Sequence, residues 1–179
     1  MCQLLSLAIE SNDRRKNLMT YTYPGSDFRP TFLQSVVAMF RRPARLQIAA
    51  LCHRRRHGKL EVLLVTSKST QRWILPKGWP ILSHRAHRTA AIEAYEEAGV
   101  VGKAHKKPFA SFSSHKGGEA GLKIRTENLV FLVEVEDTLK DFPDSGERDV
   151  RWVSIKEAVR ISNDDGLVDV LRKLETLHG

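Results

Sequence analysis

Apolar positions divide the chain into short strands interrupted by a few helical stretches. The run within Arg45–Arg54, LQIAALCH, is almost continuously apolar and predicts a strand buried on both faces. Leu60 to Ser67, LEVLLVTS, predicts a second central strand, with Arg54 to Gly58 as a basic turn between them. Arg72 to Leu75 is a short strand running into the Pro/Gly loop PKGWP. Further strands are expected over Val100–Lys107, Phe109–Ser113, Lys123–Glu136 and Asp149–Ser154. In the longest of these, Leu129, Phe131, Val133 and Val135 alternate with polar residues and share one face. The glycine-rich stretch 115–121, HKGGEAG, is a turn, and Thr138 to Arg148 is a polar loop. Helical spacing appears in Lys156–Ile161 and Asp164–Leu177, where Leu167, Val170, Leu171 and Leu174 recur at threes and fours. Asp164 and Asp165 suit the positive end of the second. Thr31 to Arg42 predicts a short helix with Phe32, Val36 and Phe40 on one side, ended by Pro43. Residues 1–30 show no sustained periodicity. The expected organisation is a basic, partly unordered extension over 1–43 and an α+β domain over 44–179. Its mixed, curved sheet should lie between helices.

One helix is of a different kind. Between Ser83, its expected N-cap, and Gly99, its expected left-handed stop, lie Glu93, Glu96 and Glu97. At 3.6 residues per turn these acids share one face. Ala91, Ala94, Tyr95 and Ala98 are expected to form a narrow apolar stripe opposite them. No neighbour on the acidic face supplies a cation. A hard divalent ion relieves the repulsion and keeps waters for a substrate phosphate to replace. Three acids in isolation are more often a solvated surface. The PKG loop before them and the glycine stop after them favour a site.

The stretch Gly78–Val100 resembles the Nudix box, G-x5-E-x7-R-E-U-x-E-E-x-G-U, in which U is aliphatic. Gly78, Glu93, Ala94, Glu96, Glu97, Gly99 and Val100 match, seven of nine fixed positions. His84 stands where the box has Glu, and Ile92 where it has Arg. The wording RWILPKGWP…AYEEAGV is most similar to the branch of diphosphoinositol polyphosphate and diadenosine polyphosphate hydrolases. The resemblance extends more weakly over about Arg45 to Leu174. It implies an α/β/α sandwich and Mg²⁺-dependent hydrolysis of a diphosphate linkage, with Mn²⁺ as the alternative cation. Glu93, Glu97 and the Gly78 carbonyl would hold the metal. Glu96 would take a proton from the attacking water or serve as a third ligand. The box arginine forms an ion pair that orients the glutamates; Ile92 cannot, which leaves Lys77 or Arg72 to reach in from the preceding strand and loop.

Polyphosphate also needs cations around it. Arg72 and Lys77 flank the loop into the acidic helix, and Arg45, Lys68, Arg125 and Arg148 come next. Lys68 and Arg148 are at least as well explained as surface cations. Glu127 and Glu119 are further acids outside the helix, Glu119 on the glycine-rich turn. Of the aromatic residues Trp79 is best placed for a ligand, with packing on Pro80 as the equal alternative, whereas Trp73 and Tyr95 look like packing.

The net charge of +8 sharpens one alternative. Residues 1–57 carry ten Lys/Arg against three Asp/Glu, and the remainder nineteen against eighteen. The excess therefore sits in the N-terminal third, as a nucleic-acid-binding protein would have it. The departures at His84 and Ile92 motivate another alternative, a degenerate domain that binds a polyanion without turnover. Two distant cysteines, Cys2 and Cys52, match no metal spacing and fit a reduced, cytoplasmic protein. No apolar run reaches the length of a membrane span.

Overall fold

A computed structural model describes residues 44–117 and 123–178. The helix expected over Thr31–Arg42, Glu119 and most of the glycine-rich turn lie outside them. Chain order is β1 (Arg45–Arg56), β2 (Lys59–Thr66), β3 (Trp73–Ile74), β4 (Lys77–Gly78), α1 (Ala86–Ala98), β5 (Val100–Ala104), β6 (Ala110–Gly117), β7 (Lys123–Thr138), β8 (Val150–Ser154), α2 (Ile155–Ile161) and α3 (Asp165–His178).

β1 is the axis of a mixed sheet. It runs parallel to β7, with Ile48 opposite Leu129 and Cys52 opposite Val133, and antiparallel to β2 and β4. β2 carries β8 on the edge away from β1, its far end pairs with β3 on the edge that faces β1, and β7 carries β5 and β6. Successive side chains on a strand point to opposite faces, and here both faces are covered. Ala49, Leu51, Val62, Leu64 and Val130 pack against Leu167, Val170, Leu171 and Leu174 of α3. Ile48, Ala50, Cys52, Leu63, Val65, Phe131 and Val133 pack against Ala90, Ala94 and Ala98 of α1. The result is the expected α+β sandwich, helix on each side of the sheet.

Several local expectations change. The turn between β1 and β2 is only His57-Gly58, both at positive φ (50° and 75°), and Arg54–Arg56 belong to the strand. Two residues of this handedness match the twist of adjoining antiparallel strands. Ser83 does not cap α1. The N-cap is Arg85, with no side-chain hydrogen bond, and Ser83 Oγ instead lies 2.9 Å from His84 Nδ1. The apolar stripe is rotated as well: Ala90, Ala94 and Ala98 are buried with Thr89 and Glu97, whereas Tyr95 is exposed. Alanines keep the helix close to the sheet, and that closeness draws the neighbouring Glu97 inward.

α3 begins as foreseen. Asp164 Oδ1 accepts the backbone N–H groups of Gly166 and Leu167 at 3.1 and 3.3 Å, which fills two orphan donors of the first turn. Cys52 is fully buried, and burial pushes its thiol far above the ordinary range, so it remains an inert thiol.

Gly99 ends α1 at φ 66°, its N–H bonded to Tyr95 O. A Cβ there would stand 2.5 Å from Leu139 O and 2.7 Å from the Phe142 ring. Gly99→Ala should therefore cost the αL penalty of about 1–2 kcal/mol plus the displacement of the loop after β7. In urea titrations the midpoint should fall with an unchanged slope. An unchanged midpoint would show that the loop yields freely.

Candidate active site

The site is made where β4 slides under α1. β4 pairs with the middle of β1, Ile48 opposite Gly78 and Ala49 opposite Lys77, which holds the PKG backbone against the acidic face of the helix. A Cβ on Gly78 would stand 1.9 Å from Glu93 Oε1, so the carboxylate rests where a side chain would be. The Lys77 N–H donates to Glu97 Oε2 at 3.1 Å. The three acids thus differ in depth: Glu97 is buried, Glu93 half-buried and Glu96 exposed.

The cation that the helix lacks comes from elsewhere. Arg148, in the loop between β7 and β8, is buried to all but 10% of its side chain. Its Nη2 donates to Glu97 Oε1 at 2.5 Å, its Nε to Asp144 Oδ2 at 3.0 Å and its Nη1 to Thr66 O at 3.0 Å. It is no surface cation. Sequence proximity pointed to Arg72 and Lys77 as the partners of the glutamates, but folding returns the later loop to this point. Asp144 is held in turn by Lys68 Nζ at 3.0 Å, which also pairs with Glu147. The Asp144 N–H donates to Glu96 O, tying the loop to the helix.

The electrostatics remain unbalanced. Burial, and then the charges of Glu97 and Glu96, push the Glu93 carboxyl up to about 7, with Arg148 offsetting part of the effect. Burial also raises Glu97 despite Arg148 and the Lys77 N–H. Asp144 is opposite: hydrogen bonds from Lys68 and Arg148 overcome its burial and hold it low. Among the described residues no three carboxylate, histidine or cysteine groups converge into a closed cage. What exists is an open ridge of hard oxygen donors with more negative charge than its one buried cation neutralises. That donor set fits Mg²⁺, which commonly takes one or two protein carboxylates and keeps waters and substrate phosphates as its other ligands.

Beside the ridge lies a cavity of about 260 Å³ whose wall includes Lys68, Arg72, Lys77, Arg148, Glu97 and Trp73. Its charge is predominantly positive, as a polyphosphate requires. Lys77 Nζ donates to Asn128 Oδ1 at 3.1 Å. The Asn128 amide nitrogen donates to Phe112 O and to Ser114 Oγ, so this orientation leaves its oxygen toward Lys77. Gln47 also lines the cavity and keeps a buried Oε1 without a hydrogen-bond partner.

Of the residues singled out from sequence, the fold brings Glu97, Lys77 and Arg72 to the cavity, with Glu93, Gly78 and Glu96 on the adjoining ridge. Arg72 is exposed, and its Nε donates to Thr70 Oγ1 at 3.2 Å. Arg45 and Arg125 are not in the cavity wall. Both are exposed, Arg45 lying opposite Thr126, one residue from Arg125. Trp73, expected to be packing, packs on the core and lines the cavity, whereas the half-exposed Trp79 is not in its wall. Glu127 accepts from Ser113 Oγ at 2.6 Å on the β6–β7 pair. His84 stands ahead of α1 in a basic cleft with Arg85, His87, Arg88 and Lys106. Asn128, Gln47 and Asp144 were not singled out from sequence. The first two look like ordinary polar positions of a strand, and Asp144 like any residue of a polar loop.

The family model for the NUDIX domain matches residues 43–174. The chain is 32% identical over 108 residues to Nudix hydrolase 13, mitochondrial, of Arabidopsis thaliana, covering 58% of this chain and 54% of that protein. It is 31% identical over 115 residues to diphosphoinositol polyphosphate phosphohydrolase 3-alpha of Mus musculus, 63% of this chain and 66% of that one. The chain thus spans about half the length of the first of these curated relatives. In fold it is similar to the crystal structure of the C. elegans Ap4A hydrolase, with a TM-score of 0.56 at 17% identity, over 76% of this chain and 100% of that one. The matched span contains the glycine loop, the acidic helix and the arginine loop that closes on it, and the chain belongs to the Nudix family.

Proposed function

We propose that the domain hydrolyses a diphosphate linkage in a dinucleoside polyphosphate, nucleoside polyphosphate or diphosphoinositol polyphosphate, with Mg²⁺ bound by Glu93, Glu97 and the Gly78 carbonyl. The observation that carries this reading is the carboxylate ridge, Glu93 raised to about 7, beside a cavity walled by cations. A bound Mg²⁺ would neutralise charge building on the phosphate oxygens. The chain's own groups do the rest. Lys77, steadied by Asn128, and Arg72 bind the phosphate chain, the first as a point charge and the second as a fork. Glu96 is the most exposed of the three acids and accepts a proton from water approaching the phosphorus. The relatives named above motivate the substrate classes.

The test is a phosphate-release screen with Mg²⁺ or Mn²⁺ over diadenosine polyphosphates, diphosphoinositols, ADP-ribose and nucleoside triphosphates. Metal-dependent turnover of at least one class is expected, and EDTA should abolish it. Ile92 and His84 support a second reading, a polyanion-binding module without catalysis. Calorimetric binding with no product under any metal would favour that reading and end the first.

A further inference from the structure

We infer that Arg148 is a positioning residue for Glu97, doing from the β7–β8 loop what an arginine at position 92 would otherwise do from the helix. The inference rests on the metal-dependent reading above and adds to it a residue outside the motif. α1 itself supplies no cation to its acids: Ile92 is half-buried and apolar, and no basic residue lies in the last turn. Arg148 is buried beside them, and each of its three guanidinium nitrogens is used by the protein, one on Glu97, one on Asp144 and one on the Thr66 carbonyl. A cation so fully engaged is poorly placed to grip a substrate phosphate. It is well placed to fix one carboxylate in one orientation, because a planar fork held at three points has little freedom left.

The bonds on Glu97 leave it able to bind a metal. Oε1 accepts from Arg148 and Oε2 from the Lys77 N–H. An ionised carboxylate offers about four lone-pair sites, more than these two bonds use. The two donors approach from β4 and from the β7–β8 loop and thereby select which lone pairs remain open. The loop is tied to the end of α1 at its start and at its middle: Leu139 N–H donates to Gly99 O at 2.8 Å and Asp144 N–H to Glu96 O at 2.9 Å.

Two effects of removing Arg148 oppose each other, and their sign separates positioning from simple charge. Deleting a cation beside a metal ligand strengthens cation binding by electrostatics alone. Losing the orientation of that ligand weakens it, typically by about 10–100-fold for an outer-shell partner. We expect Arg148→Gln in the full chain to raise the Mn²⁺ dissociation constant, measured by electron paramagnetic resonance, by about 10–100-fold. Its kcat should fall by a similar factor while KM for polyphosphate changes by less than about twofold. Arg148→Lys keeps the charge without the fork and should show the same losses to a smaller degree, which covers the case of a poorly folding Gln variant. In a Glu97→Gln background the Arg148 substitutions should add nothing further, and Ile92→Arg should recover part of the Arg148→Gln loss. Tighter or unchanged Mn²⁺ binding, a rise confined to KM, or fully additive losses would overturn the assignment. If the wild type binds Mn²⁺ but hydrolyses nothing, the enzymatic reading fails and the binding arm still tests Arg148.

Discussion

Glu93→Gln is expected to lower diphosphate hydrolysis by roughly 10²–10³-fold and, at pH 8 without metal, to make the domain more stable than the wild type. Both effects have one cause. Glu93 lies half-buried beside Glu97 and Glu96, and its carboxyl is raised from 4.5 to about 7. A carboxyl with a raised value in the folded state opposes folding once it must ionise. The sign follows from the two states. Below about 4.5 the group is protonated folded and unfolded, and it exerts no penalty. Between about 4.5 and 7 the unfolded chain releases the proton and the folded chain retains it, so stability declines as pH rises. Above about 7 the penalty is complete. Glu97 acts in the same direction, through burial first. Asp144 is shifted downward, so its contribution is lost only in stronger acid. The uncharged Gln carries no such penalty. Thermal melts in EDTA should therefore show the gap between variant and wild type widening from pH 5 to pH 8. Added Mg²⁺ should stabilise the wild type at pH 8 and the variant much less. A variant that melts below the wild type at pH 8 would show that Glu93 is not repelled in the metal-free state.

Gly78→Ala should disable the enzyme almost as thoroughly, though it changes no charge and no catalytic atom. Gly78 is not among the glycines at positive φ, so alanine fits its backbone. The obstacle is the added methyl, which would stand 1.9 Å from one Glu93 oxygen and 2.5 Å from the other. The end of a flexible side chain can move aside, so the cost in stability should stay near 1 kcal/mol, about the centre of single-substitution effects. The carboxylate then leaves the ridge, and activity should fall by roughly 10²-fold. Combining Gly78→Ala with Glu93→Gln should be no worse than Glu93→Gln alone, since both act through one carboxylate. Additive losses in the double variant would place the role of Gly78 elsewhere, in its carbonyl for instance.

The element pattern of the domain was legible because local rules and tertiary demands agree there. Gln47 to Cys52 reads as a strand covered on both faces and is one, and Leu167, Val170, Leu171 and Leu174 fall on one side of a helix. The glycine stop at 99 behaves the same way, since a positive φ is a local requirement. Helix rotation was less legible. Alanines at 90, 91, 94 and 98 are equivalent in hydrophobicity, and only the sheet decides which of them it touches. The choice of 90, 94 and 98 is what buries Glu97 and leaves Glu96 in water.

By itself the sequence determined that an acidic helix follows a glycine loop, with three carboxylates at one-turn spacing. Spacing along a helix is a property of the backbone and needs no partner. Only the tertiary structure decided how the charge on that face is managed. Arg148 lies 51 residues beyond Glu97, in a polar loop with no periodicity to mark it, and nothing local distinguishes it from Arg125 or Arg45. It reaches the site because β7 and β8 return the chain to the end of α1. Once there, its guanidinium at hydrogen-bond distance offsets part of the cost of burying the Glu97 carboxylate. Long-range pairing of this kind depends on where the sheet brings two segments together, and no short stretch of residues contains that information.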